Sequence, residues 1–227
     1  MVTALKTSIN ILLVFLFAAC TSVPDERMTP YVDFPETREL TARTLSLDSA
    51  LFRYPYRVRV QDDKAVVLDL HGTEYFFHAF HYPGFHYLSS FGKRGDAPEE
   101  MLSAENLRWN GNFLWTLDSN KSELTRLGFA SSGDSLLRLE AVSLDEELLR
   151  ALDFVQYDDS TFIIPDYSGD SRFCLVSRQG KLLHKIGTIP TTDEDALKNA
   201  HPALAQAWRS FIDYNPRNGV LAAVTQL

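Results

Sequence analysis

The residues of this chain with chemistry to offer are six histidines, two cysteines and several acid-rich turns. His71, His78, His81 and His86 lie close together in sequence and invite a metal. On an extended strand, however, His78 and His81 point to opposite faces, because their separation is odd. No carboxylate–histidine spacing of a known metal site accompanies them, so strand residues that hydrogen-bond or stack are the plainer reading. The acidic turns Asp62-Asp63, Asp158-Asp159 and Asp166/Asp170 offer oxygen ligands, but an EF-hand-like spacing ending in Glu is absent. The stretch FGKRGDAPEEM, Phe91–Met101, combines glycines with two cations as a phosphate cradle would. It lacks both the Gly-Lys-Ser/Thr of a P-loop and the G-x-G-x-x-G of a dinucleotide loop. No G-x-S-x-G nucleophile elbow occurs either. Cys174, in RFCLVS, alternates with apolar residues as a strand position does, and a buried structural thiol is expected there. These residues assign no catalytic, cofactor-binding or metal site.

Cys20 carries a different chemistry. Met1–Ala19 has one basic residue, Lys6, followed by the apolar run ILLVFLFAA. Nine residues at 1.5 Å rise cover about half of a ~30 Å hydrocarbon core, too little to span it. A short apolar run after a positive start and before small residues is a secretory signal. The sequence Leu16-Phe17-Ala18-Ala19-Cys20 resembles the lipobox of bacterial lipoproteins, with Phe17 in place of the usual Leu, Val or Ile. That resemblance implies cleavage before Cys20 and a diacylglyceryl thioether plus an N-acyl chain on it. Several chains, at ~0.8 kcal/mol per buried CH₂, anchor a protein stably where one does not. Thr21 in place of Asp implies sorting to the outer membrane. An ordinary secretory signal with Cys20 incidental is the alternative. Residues 20–39, rich in Pro and charge and without apolar period, read as a lipidated tether.

The 227 residues are 45% hydrophobic and 12% aromatic, ample for a packed core. With a net charge of −8 and no cluster of Lys or Arg, the chain is a poor partner for nucleic acid.

The folded part, 40–227, reads as all-β. LTARTLSL at 40–47 alternates as a lone strand would. YRVRVQ at 56–61, AVVLDL at 65–70, EYFFHAF at 74–80 and FHYLSSFG at 85–92 then follow one another across short turns. AVVLDL is apolar throughout, as in a strand buried on both faces. A second unit turns at Asn110-Gly111, a third at Asp158-Asp159 and a fourth at Pro216–Gly219. These first turns recur at intervals of 48, 48 and 58 residues, the signature of a β-propeller of four-stranded blades. The longer last interval holds TTDEDALKNAHPALAQAW, a short helical insertion near 192–209 with Thr192 as N-cap. Ser143–Leu152 reads as another short helix, opened by Ser143 and Glu146. A pair of immunoglobulin-like sandwiches is the competing all-β arrangement.

Leu45–Asp118 resembles the opening of the TolB-like six-bladed propeller lipoproteins. The resemblance rests on Pro55 ahead of the first strand, on VVLDL, and on a crossing of the form FGRxGxGPxEF. In that crossing Ala97 and Met101 replace the usual Gly and Phe. SRQGKLLHKIG in the third unit echoes the same ending. Six blades do not fit: 40–227 holds about three and a half four-stranded units, and an incomplete ring is expected.

The function these features suggest is a lipid-anchored envelope protein, non-enzymatic, binding an envelope protein or glycan through a propeller face. An envelope hydrolase or lyase with an axial site is the alternative, as is a remnant of a longer gene. In cells fed radiolabelled palmitate, the wild-type chain should incorporate label and a Cys20→Ala variant none; equal labelling of the two would refute the anchor.

Overall fold

The computed structural model describes residues 36–45 and 52–225. The signal segment 1–19, Cys20 and most of the tether lie outside the described residues. The chain divides into two units, 1–44 and 45–227. In the first, residues 36–44 are exposed and without regular structure, with Arg38 paired to Glu36.

In the second unit the chain forms three four-stranded antiparallel sheets and one two-stranded sheet, each from consecutive strands. The first holds β1 (Pro55–Gln61), β2 (Lys64–Asp69), β3 (Tyr75–His81) and β4 (His86–Lys93). The second holds β5 (Asn106–Asn110), β6 (Phe113–Asp118), β7 (Glu123–Phe129) and β8 (Leu136–Ser143). The third holds β9 (Val155–Gln156), β10 (Thr161–Pro165), β11 (Phe173–Ser177) and β12 (Leu182–Ile186). After helices α1 (Glu194–Asn199) and α2 (His201–Ala207), β13 (Ser210–Asn215) pairs with β14 (Val220–Thr225). The sheets are arranged as blades and do not close into a ring, so the expected propeller with an incomplete ring is what forms. A sandwich pair is excluded, because no sheet mixes strands from two units.

Each four-stranded blade buries its second strand on both faces, which is why those strands read as continuous apolar runs. Val66, Leu68, Phe77 and Phe91 of the first blade pack with Leu107, Leu114 and Leu127 of the second. Trp115, Leu117 and Leu124 of the second pack with Phe162, Ile164 and Cys174 of the third. Each such side chain contributes roughly 1.5–3 kcal/mol of burial. Cys174 is 1% exposed, and burial pushes its thiol up to about 12, so it is the inert core thiol that the strand pattern predicted.

The crossing from blade one to blade two is structural. Gly92 sits at φ +65°, where a Cβ would come within 2.7 Å of the Phe77 ring. Beyond it, Met101 N–H donates to the Lys93 carbonyl (2.8 Å) and Gly95 N–H to the Met101 carbonyl (3.0 Å). The exposed Lys93 pairs with Glu100 at 2.7 Å.

Three expectations fail. Residues 40–45 form no strand, and 46 and 47 lie outside the described residues, so nothing in the described chain closes onto β14. Residues 143–152 form no helix, although Leu144, Leu148 and Ala151 have helical spacing and are buried. There β8 runs on to Ser143, the Asp145 N–H is held by the Gly180 carbonyl of blade three (2.8 Å), and Arg150 takes φ 47°. Packing against two blades therefore overrides local helical preference. The N-cap of α1 is Asp193 rather than Thr192: its carboxylate accepts from the N–H groups of Asp195 and Ala196. The strand β8 escapes the sequence patterns altogether. Its apolar Leu137 and Leu139 are half-exposed while Arg138 and Glu140 turn inward to ion pairs, which inverts the usual alternation.

An aspartate closes or follows the second strand of every complete blade: Asp69, Asp118 and Asp166, all nearly fully buried. Asp69 accepts from the Arg53 and Tyr54 N–H groups at 2.7 and 2.6 Å. Asp118 accepts from Leu102 N–H (2.7 Å), Ser103 Oγ (2.9 Å), and Asn120 and Lys121 N–H (3.0 Å each). Each of these two pins the lead-in to its own blade's first strand. Removing the Asp118 carboxylate leaves four part-buried donors without their acceptor. Asp118→Ala should therefore cost about 3 kcal/mol, read as a lower urea midpoint, whereas an exposed change such as Asp134→Ala should leave the midpoint unchanged.

Candidate functional site

The first strands of the blades are neighbours, β1 beside β5 and β9 beside β13, and their polar side chains meet between the blades. Arg57 and Arg59 share one face of β1; Asn106 and Arg108 share one face of β5. Arg57 Nη1 donates to Asn106 Oδ1 at 2.5 Å. Asn106 Nδ2 donates in turn to Asp153, which lies just before β9 and is 1% exposed. Asp153 also accepts from Arg108 Nη2 (3.1 Å), Phe154 N–H (2.8 Å) and Ile212 N–H (2.9 Å). The other fork of Arg108 reaches Asp213 of β13 at 2.8 Å, and its Nη2 also donates to the Ile212 carbonyl. One buried carboxylate thus joins the second, third and fourth sheets.

Beyond this network the strands open into a cleft of about 460 Å³. Arg59 and Arg108 line it with cations, and Tyr157 and Tyr214 with aromatic rings. The rings of Tyr157 and Tyr214 lie 5.3 Å apart, tilted by 48°. Three buried polar atoms of the lining have no protein partner: Arg108 Nε, Trp109 Nε1 and Gln156 Oε1. Such atoms cost free energy unless something bonds to them. The half-buried Arg59 guanidinium makes one long bond, from Nε to the Leu107 carbonyl at 3.4 Å. Burial, then the adjacent charges of Arg57 and Arg108, hold its pKa below the usual value.

Near the lead-ins of the same strands sits a second polar group. Burial pushes Glu105 above the usual carboxylate range, against the pull of Arg150 and Arg209. Tyr167 is pushed up to about 12 by burial and donates to the Ser210 carbonyl at 3.4 Å.

The residues that sequence offered for chemistry do not converge. His78 is buried against Ser90 Oγ (2.8 Å) and the Phe52 ring, whereas His81 is exposed beside Asp63 at 3.3 Å. Burial lowers the pKa of His78. Among the described residues no three His, Cys, Asp or Glu side chains come together as a metal site would require. Asp158 and Asp166 fold onto their own turns, Asp158 accepting from Ser160 N–H at 2.7 Å and Asp166 from Ser168 N–H at 2.9 Å. Sequence reasoning missed the cleft residues, yet they follow the repeat. Arg59, Arg108, Gln156 and Tyr214 each stand two or three positions before the first turn of their unit. Comparing equivalent positions across the units is the signal that finds them.

Because the Glu105 pKa is raised in the folded state, that state binds the proton more tightly than the unfolded chain. Stability present below the ordinary carboxylate pKa is then lost as pH rises through the folded value. Glu105→Gln should remove this loss. Its urea midpoint should exceed that of wild type at pH 7 and match it at pH 4; equal differences at both pH values would refute the assignment.

The family described as TolB-like 6-blade propeller-like matches residues 33–227. Among curated proteins none matches the chain. Among solved structures, a protein of Bacteroides fragilis described as exported is similar, with TM-score 0.52 and 14% identity, over 66% of this chain and 42% of that one. A protein of undescribed function from Desulfotomaculum acetoxidans gives TM-score 0.49 and 13% identity, over 74% of this chain and 48% of its own. The chain therefore spans under half the length of each, and at such identity the first likeness shows a shared fold alone.

Proposed function

The chain belongs to the TolB-like 6-blade propeller-like family, and on that premise we propose that it is a non-enzymatic binding module of the cell envelope, lipid-anchored at Cys20, whose axial cleft takes a glycan. The observation that carries this reading is the pairing of aromatic rings with polar side chains in one cleft. Tyr157 and Tyr214 offer faces for the C–H surface of a sugar ring. Arg59, Asn110 and Gln156, which also line the cleft, offer polar side chains for its hydroxyls. A concave site of this size suits a short saccharide better than a flat protein surface. The carboxylates bonded to Arg108 are committed: the buried Asp153 accepts from four residues, and the exposed Asp213 is paired with Arg108. Neither is free to act as an acid or base.

An envelope placement is supported by the lipobox-like Leu16–Cys20 and by the similar protein described as exported. The outer membrane is the destination that Thr21 favours. A second reading, a hydrolase or lyase, has the raised Glu105 near Tyr167 in its favour. Turnover of a bound oligosaccharide by wild type, abolished in Glu105→Gln, would establish it.

The binding reading is tested on an array of neutral, amino-sugar and uronic-acid oligosaccharides. Wild type should be retained on at least one class, and Tyr214→Ala should bind that class at least tenfold more weakly while keeping a folded far-UV circular dichroism spectrum. Retention on no saccharide would overturn the proposal.

A further inference from the structure

Resting on the glycan reading above, we infer that Arg59 is an anion subsite of the axial cleft and that the saccharide it takes carries a carboxylate, as a uronic acid does. The charges that reach Arg59 are those of Arg57, Arg108, Asp153 and Asp213. Both of those carboxylates are already bonded to Arg108. Arg57 reaches only the neutral amide of Asn106. Three cations therefore share two anions, and this local excess of positive charge lies within a chain whose net charge is −8.

Arg59 itself has no carboxylate within ion-pair distance among the described residues, and its only protein bond is the 3.4 Å contact to a carbonyl. Asp158 and Asp159 also line the cleft, but neither fills this role. The Asp158 carboxylate is turned back into its own turn, accepting from Ser160 N–H (2.7 Å) and Thr161 Oγ1 (2.8 Å). The charge of Asp159 is felt by Arg178. A planar guanidinium with free N–H groups matches a carboxylate bidentately, which adds direction as well as charge. The nearby Tyr157 and Tyr214 rings would hold the sugar ring while Arg59 holds its acid group. A neutral glycan leaves Arg59 unpaired; a uronate pairs with it.

The test is titration calorimetry of the full-length chain in detergent with three probes: trigalacturonate, its methyl ester and maltotriose. Trigalacturonate should bind at least tenfold more tightly than its ester, and that preference should fall to within twofold in Arg59→Gln. Acid and ester are compared on wild type, so that comparison stands even where the variant fails to fold. Equal affinity for acid and ester would overturn the anion subsite and leave the glycan reading standing. Binding of none of the three, together with an empty glycan array, would overturn both. Inorganic phosphate displacing trigalacturonate at equal concentration would show a general anion site and refute the saccharide carboxylate.

Discussion

The arrangement of the blades depends on one buried carboxylate. Asp153 precedes a first strand of only two residues, too short for its own ladder to fix its position. What locates it is a set of bonds from other blades: the Asn106 amide and the Arg108 guanidinium of β5, and the N–H of Ile212 on β13. A charge this deeply buried is tolerable only when most of its lone pairs are used, and here they are. The ion pair with Arg108 adds little net stability in such a setting, because desolvation offsets the attraction. Its contribution is geometric: with four donors aimed at two oxygens, only one separation of these strands satisfies all of them. The cleft inherits its width from that separation.

The apolar interfaces and the polar axis divide the work between them. Between blades, Phe77, Phe91, Leu107 and Leu114 on one side and Trp115, Phe162 and Ile164 on the other bind the sheets together without specifying their rotation. The aspartates Asp69 and Asp118 then fix where each first strand begins. Outer surfaces lack such cover. Tyr56, Val58 and Val60 of β1 and Val220 and Val224 of β14 remain half-exposed or more. On β1 this reverses the simple expectation of alternation: the arginines face the second blade and the valines face out. Strand surfaces of this kind, at the two ends of an open row, are what pairing and aggregation exploit.

Much of this is legible in sequence wherever the signal is local. Continuous apolar runs such as Ala65–Leu70 mark strands buried on both faces, and Asn110-Gly111 marks a hairpin, because strand burial and turn geometry are settled within a few residues. The failures are places where a distant contact decides. The helical spacing of Leu144, Leu148 and Ala151 is real, but the Gly180 carbonyl claims the backbone. The strand β8 hides its polar face, since Arg138 and Glu140 find charged partners across the sheet and at the blade boundary. The aspartates at 69, 118 and 166 are visible as letters, but not as clamps, because their partners are mostly backbone N–H groups. The cleft is the hardest to see. Arg59, Arg108, Gln156 and Tyr214 are each ordinary alone, and only superposition of the units places them together.

The same superposition bears on whether the site binds or reacts. Equivalent positions around the axis carry Arg, Arg, Gln and Tyr, a set rich in donors and poor in groups that exchange a proton near neutral pH. Of the carboxylates that approach them, Asp153 and Asp213 pair with Arg108, and Asp158 accepts from its own turn. General acid–base chemistry needs a titratable group within reach of the reacting bond, and Glu105, the one carboxylate here raised mainly by burial among shifted groups, belongs to the lead-in of β5, at the opposite end of that strand from the cleft-lining Trp109 and Asn110. A ligand held by Tyr214 and Arg59 would have to extend along the axis, past the Asp153 network, to meet it. That network, with its buried Arg108–Asp153 ion pair, lies between Glu105 at the head of β5 and the cleft at the other end of the strand.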